Sequence, residues 1–135
     1  YAGVNAPACS EGRSFRDNLK GETPRDWRQS MYYRYWTHHK IRPAHMGIRG
    51  HRYKLMFLYG DPLNATGSDK APVTPSWEFY DLLADPHENH NLYGSPTYAG
   101  EIEKMKRELL KLRREIGDTD AANPRMQEIM DAYYW

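Results

Sequence analysis

At 135 residues, with 19 basic and 18 acidic side chains and a net charge of +1, the chain is the size of one ordinary domain and buries roughly two thirds of the surface its unfolded form exposes. A single cysteine, Cys9, excludes an internal disulfide framework and a Cys-rich zinc site; no apolar run approaches membrane-spanning length and the first residues lack a signal-peptide pattern, so the chain as given is expected to be soluble. The near-neutral total hides an asymmetry, because residues 1–60 hold 11 basic and 4 acidic side chains, or +7, while residues 61–135 hold 8 and 14, or −6.

Residues 1–30 carry Gly3, Pro7, Gly12, Gly21 and Pro24 with few apolar residues between them, which argues for an extended strap rather than a long regular element. Its apolar points, Val4, Phe15, Leu19 and Trp27, need a surface to pack on, and a neighbouring domain would supply one. Met31 to Thr37 is aromatic or β-branched at most positions, the composition of a strand, with Tyr33 and Tyr35 on one face and Tyr32, Arg34 and Trp36 on the other. After the polar, basic stretch His38 to Arg42, Pro43 sits where a strand can begin without its missing N–H. That strand runs to about Arg49, Gly50-His51 reads as a two-residue hairpin turn with glycine at positive φ, and Arg52 to Tyr59 returns antiparallel. A long loop, Gly60 to Ser76, leads to a fourth strand, Trp77 to Leu82, closed by Asp85-Pro86.

The last third reads as helix. Ser95 and Pro96 fit an N-cap and first helical residue, and Ile102, Met105, Leu109, Leu112 and Ile116 recur at spacings of three and four before Gly117. Asn123-Pro124 repeats the start signal for a shorter helix with Met126, Ile129, Met130 and Tyr133 on one face; its Tyr133-Tyr134-Trp135 end is either exposed or docked on the sheet. The sum is an α+β fold: a four-stranded antiparallel sheet with a long amphipathic helix packed on one face, plus a short C-terminal helix. The uncovered face is expected to be aromatic, with Tyr32, Trp36, Tyr53, Phe57 and Trp77 lining a binding groove or a domain interface.

Chemistry-bearing residues concentrate in the basic half. Cys9 precedes Arg13 by four residues, one short of the phosphate-cradling Cys-x5-Arg loop, so a cysteine-phosphatase reading fails on spacing. His38, His39, His45 and His51 cluster in sequence, but their spacings match no helix-borne zinc pair and no carboxylate completes the set nearby. His87 and His90 belong to a turn. Cations interleaved with aromatics from Arg25 to Tyr53 suit glycan or nucleic acid, and no motif of a known RNA-binding fold is present. The excess of positive charge either meets an anionic partner or is neutralised by the acidic half within the fold.

The order of motifs carries a resemblance. GRSFRDNLKGETPRDWRQSMYYRYW, then PAHMGIRGHRYKLMFLYG, then WEFYDLLADPHENHNLYGSPTY is similar to the C-terminal subdomain of type I, formylglycine-dependent sulfatases of the alkaline phosphatase-like superfamily, in particular carbohydrate sulfatases of the N-sulphoglucosamine sulphohydrolase and arylsulfatase type. It covers Tyr1 to Asp118, with Tyr1-Ala2-Gly3-Val4 resembling the exit from the catalytic domain. It implies a junction segment over 1–30, the subdomain over 31–118 and a tail helix over 119–135. Family catalysis uses a Cys or Ser in a Cys/Ser-x-Pro-x-Arg motif, oxidised to formylglycine, with calcium; Glu11 stands where Cys9 and Arg13 would need proline, so that match is coincidental. Calcium and formylglycine are therefore expected in the N-terminal domain of a parent protein, and no cofactor in this piece. Beginning at Tyr1 without an initiating methionine fits such a piece. The resemblance makes His45 a contact to a sugar hydroxyl and lets Arg49 and Arg52 meet a sulfate or uronate, with Arg49 equally suited to tie the piece to the neighbouring domain. The expected partners are the catalytic domain and a sulfated glycan, with neither nucleic acid nor membrane, and the piece alone is expected to be inactive. The compartment stays open, although relatives with such substrates are often exported. Two alternatives remain: a stand-alone binding module for sulfated glycans, and a purely structural docking domain.

Overall fold

The computed structural model describes residues 4, 5, 7–10 and 12–135, the side chain of residue 122 excepted; the readings that fall on Tyr1 to Gly3 and on Glu11 lie outside the described residues. The described part of the strap forms a single helical turn, α1 (Arg16–Leu19), and leaves Val4, Phe15 and Leu19 exposed. Four antiparallel strands follow as a meander in the order β1 (Ser30–Tyr35), β2 (His45–Gly50), β3 (Tyr53–Leu58) and β4 (Ser76–Asp81). The chain then enters a 3-10 turn (Pro96–Tyr98), the 17-residue helix α2 (Ala99–Glu115) and α3 (Pro124–Tyr133). No described helix is long and apolar enough to cross a membrane.

The β2–β3 turn lies one residue later than the sequence reading. Gly50 pairs with Ser30 of β1, so the ladder holds it extended and His51-Arg52 makes the turn; Gly50 is absent from the glycines at positive φ. The positive φ is needed instead at Gly60, where the long loop folds back and a Cβ would lie 2.7 Å from Val73.

Register decides which side chains share a face. Tyr32, Ile48, Leu55 and Phe79 align across the sheet, as do Arg34, Met46, Phe57 and Trp77. These two rows, together with Tyr53, meet Ile102, Met105 and Leu109 of α2 and Met126, Ile129, Met130 and Tyr134 from the C-terminus in one core. This corrects the expected aromatic surface: Tyr32, Tyr53, Phe57 and Trp77 belong to the covered face, and Trp36 lies beyond the end of β1 beneath the Arg34 guanidinium at 3.6 Å. The residues read as a tail helix contribute four side chains to the same core.

Two helix assignments shift for local reasons. Ile116 is exposed because the helix ends there and Gly117, at φ 75°, turns the chain away. Tyr134 rather than Tyr133 completes the buried face of α3: its hydroxyl donates to the Lys106 carbonyl at 2.6 Å, while the Tyr133 side chain is exposed and its carbonyl accepts from the Trp77 indole at 3.1 Å.

Lys106 is the unusual member of this core. Its ammonium donates to the Tyr134 carbonyl and lies 4.3 Å from the centre of the Trp77 ring, and it has no carboxylate partner among the described residues. Burial lowers its pKa from 10.5 to about 8. Between these values the unfolded chain binds the proton and the folded one has released it, so stability rises with pH through that window. Denaturant midpoints measured between about pH 8 and 9.5, below the titration of ordinary tyrosines, are expected to climb in the native sequence, and Lys106→Met is expected to flatten the slope.

Candidate functional site

The face of the sheet turned away from the helices carries a different set of side chains. Tyr35, His45, Leu58 and Ser76 form one row, Tyr33, Gly47, Met56 and Glu78 the next, and Met31, Arg49, Lys54 and Tyr80 the third. His45 and Arg49 therefore share this open face but stand four residues apart along β2, roughly 13 Å.

At the His45 end, the imidazole Nδ1–H donates to the Pro43 carbonyl at 2.8 Å, which fixes the ring and leaves Nε2 as a lone-pair acceptor without a partner among the described residues. The ring stacks on Tyr35, with centroids 5.4 Å apart and planes at 26°, and meets Tyr33 edge-on at 6.0 Å. The Arg42 guanidinium lies 4.9 Å from the centre of the Tyr35 ring. A ring face, an acceptor nitrogen and a cation side by side are the components of a sugar site: the ring packs on C–H groups, the nitrogen takes a hydroxyl, and the guanidinium pairs with an anionic substituent. Tyr35 and Arg42 were not singled out by the sequence reading. The alternation that set Tyr33 and Tyr35 on one face, carried across the hairpin register to His45, would have found Tyr35.

In the middle row, Gly47 permits a close approach. A Cβ there would lie 2.6 Å from the Tyr33 hydroxyl and 2.8 Å from the Leu55 carbonyl, so only glycine lets the phenol cross β2. The Tyr33 hydroxyl is enclosed yet makes no hydrogen bond, and burial pushes its pKa up, followed by the Glu88 and Glu78 charges. Tyr80 donates to Glu78 at 3.0 Å, and burial followed by that carboxylate raises its pKa to about 12. Lys54 pairs with Glu88 at 2.5 Å. Arg49 is exposed and makes neither an ion pair nor a hydrogen bond among the described residues.

Arg52 is separated from these groups. It sits in the β2–β3 turn with its Nη2 2.7 Å from the buried Asp81 carboxylate, and its guanidinium lies 4.9 Å from the centre of the Tyr53 ring. The histidine cluster disperses in the same way. His38 is fully buried, accepting from the Ala44 N–H at Nδ1 (3.3 Å) and donating from Nε2 to the Ala71 carbonyl (3.0 Å), so it fastens the long loop to the start of β2. Cys9 is exposed. Among the described residues no three His, Cys, Asp or Glu side chains converge to hold a metal ion.

Comparison with known proteins matches residues 1–115 to the family described as N-sulphoglucosamine sulphohydrolase, C-terminal. A curated relative, an N-acetylglucosamine-6-O-sulfatase of Bacteroides thetaiotaomicron, is 32% identical over 125 residues, covering 89% of this chain and 20% of the relative. A solved protein in complex with its substrate D-glucosamine-2-N,6-O-disulfate superimposes with a TM-score of 0.68 at 29% identity, over 90% of this chain and 23% of that one. The same fold recurs at 22% identity and a TM-score of 0.54 in a phosphonate monoester hydrolase from Silicibacter pomeroyi, over 78% of this chain and 21% of that one. The chain spans about a fifth of the length of the relatives it matches. With most of its length covered by that match, and with the meander, the long helix and the GIR-x-x-RYKL hairpin all in place, the chain belongs to the N-sulphoglucosamine sulphohydrolase C-terminal family.

Proposed function

We propose that this chain is the C-terminal part of a sulfatase acting on a sulfated glycan, with its open sheet face set against a catalytic domain and the His45 end forming one wall of the substrate pocket. The observation that carries the reading is the open face itself: an acceptor nitrogen at His45 and an exposed Arg49 side chain, neither with a partner among the described residues, lie on the side of the sheet turned away from the helices. A catalytic domain occupying the other four fifths of the relatives' length would supply the partners of these groups. The relatives' names give the substrate class, sulfated glucosamine. On this reading calcium and the formylglycine nucleophile belong to that other domain, and the piece alone is expected not to hydrolyse sulfate esters.

Within the pocket, His45 Nε2 accepts from a sugar hydroxyl while Tyr35 supports the ring. Arg49 lies at the far end of the face and pairs across the domain interface or with a distant sulfate. Arg52 serves chiefly to hold Asp81, and its free N–H groups reach any ligand only from the turn. The test is His45→Ala in the longer sulfatase, assayed on N- or O-sulfated glucosamine. A drop of about 10- to 100-fold in kcat/KM is expected, the worth of one hydrogen bond in an enclosed site, with an unchanged unfolding midpoint. Unchanged kcat/KM, or turnover of an aryl sulfate by the isolated chain that Cys9→Ala abolishes, overturns the reading.

A further inference from the structure

We propose that the groove between α2 and the β2–β3 turn is a second carbohydrate site, one that grips a run of sulfated sugars away from the residue being hydrolysed. The groove encloses about 790 Å³, with Lys104, Arg107, Lys111 and Arg114 along one wall and His51 and Arg52 on the other. The four α2 cations recur at spacings of three, four and three, which places them on a single stripe. From Lys104 to Arg114 that stripe runs about 15 Å, longer than one sugar ring, and it parallels the groove. Its length suits a chain of anions rather than a single one.

The cations are available. Lys104, Arg107 and Lys111 pair only with glutamates one turn away on the same helix, in exposed geometry, and Arg114 makes no ion pair among the described residues. Exposed pairs of this kind are weak and exchange readily for an incoming anion. The glutamates Glu101, Glu103 and Glu108 that share the lining also select the class of ligand. A sulfated sugar presents hydroxyl donors between its sulfates, which carboxylates can accept, whereas a DNA backbone presents acceptors alone. Among the described residues Tyr53 is the one phenyl, phenol or indole ring in the groove lining, and it is packed on Phe79 and Tyr98 rather than free for base stacking. The choice of a sulfated glycan rests on the functional reading above, whereas the groove does not.

The groove opens on the helix layer and His45 on the opposite face of the sheet, so the two sites are separable by mutation. A polysaccharide held in the groove would keep its chain near the enzyme between successive hydrolytic events, raising effective concentration without adding to chemistry at the pocket.

The experiment measures binding of this chain to a heparin-derived oligosaccharide, with its de-sulfated counterpart and a single-stranded DNA of similar charge as comparators. The triple variant Arg107→Ala/Lys111→Ala/Arg114→Ala is expected to weaken binding about tenfold or more and to flatten its salt dependence, and Arg114→Glu alone is expected to move in the same direction should the triple variant fold poorly. Lys70→Ala, which removes an exposed cation outside both sites, is expected to bind as the native sequence does. Equal weakening by Lys20→Ala/Arg25→Ala/Arg28→Ala, which removes three charges from the N-terminal strap, overturns the proposal in favour of a net-charge effect. Weakening by His45→Ala with the groove variants unaffected overturns the groove while leaving the pocket reading intact. Equal binding of the DNA or of the de-sulfated oligosaccharide overturns the assignment to a sulfated glycan.

Discussion

Asp118→Ala is expected to lower unfolding free energy by about 3–5 kcal/mol, the range for removing one partner of a buried ion pair. Asp118 follows Gly117 at the end of α2 and turns its carboxylate beneath the sheet. There it accepts from the Tyr32 hydroxyl and, at 2.6 Å, from the Arg34 Nη1; Arg113 stands 4.0 Å away. The Arg34 side chain is 6% exposed and Asp118 17%, so neither ion regains water when the other is lost. Burial, then the hydrogen bond to Asp118, pushes the Tyr32 phenol up. The substitution strands a guanidinium and a phenol at once, at the edge strand of the sheet. Asp118→Asn keeps an acceptor for Tyr32 without the charge and is expected to fall between. Urea denaturation at neutral pH reads the effect, and a loss below about 1 kcal/mol for the alanine variant would show that solvent reaches Arg34 after all.

The sheet was legible because its strands are short, aromatic and bounded by turn residues, and the long helix because its apolar stripe is regular. What the sequence did not reveal is which face the helices cover. Alternation divides Tyr32 and Arg34 from Tyr33 and Tyr35, but an Arg on the covered side and a Tyr on the open one look reversed until the Asp118 carboxylate and the Gly47 notch are seen. A charged residue that is buried because a distant partner reaches it leaves no local mark. Arg113 with Asp120 and Lys106 beneath Trp77 are further cases, each sitting on the stripe of α2 where apolar residues are expected.

Of the candidate site, His45 was legible through the motif and its geometry adds the fixed Nδ1 and the stack on Tyr35. Arg49 and Arg52 look equivalent in sequence, flanking one turn, yet register sends Arg49 to the open face and Arg52 to Asp81 at the rim of the opposite layer. A shift of one residue in the turn is enough for that, since each step along a strand reverses the face. The acidic second half meets the basic first half within the fold: Asp81 pairs with Arg52, Glu88 with Lys54 and Asp118 with Arg34. Internal neutralisation therefore explains part of the charge asymmetry, and Arg49 of the open face and Lys20, Arg25 and Arg28 of the strap stand outside these pairs.

Asn91→Ala is expected to lower stability by about 2–4 kcal/mol, and it separates structural motif from functional motif. The DP-x-E-x-x-NLY turn is one of the motifs that together carry the family resemblance, and its asparagine contacts no candidate ligand group. Its Oδ1 accepts from the Phe79 and Tyr93 N–H groups at 3.0 Å each, and its Nδ2 donates to the Trp77 carbonyl at 3.0 Å, while the Leu92 N–H reaches the Phe79 carbonyl at 2.8 Å. The side chain thus stands in for a fifth strand along the free edge of β4, which blocks edge-to-edge association. Alanine leaves two N–H groups and one C=O without their partner, two of them on residues of the core, each costing about 1–3 kcal/mol less whatever water can recover. Asn91→Asp keeps the acceptor and loses the donor, so it is expected to cost less. Amide exchange at Phe79 is expected to quicken in the alanine variant while exchange within β2 changes only with the global unfolding term. In the longer sulfatase proposed above, the same change is expected to reduce the yield of folded enzyme and leave KM for a sulfated glucosamine unmoved. A raised KM at an unchanged midpoint would instead place Asn91 beside the substrate and require the turn to be read as part of the pocket.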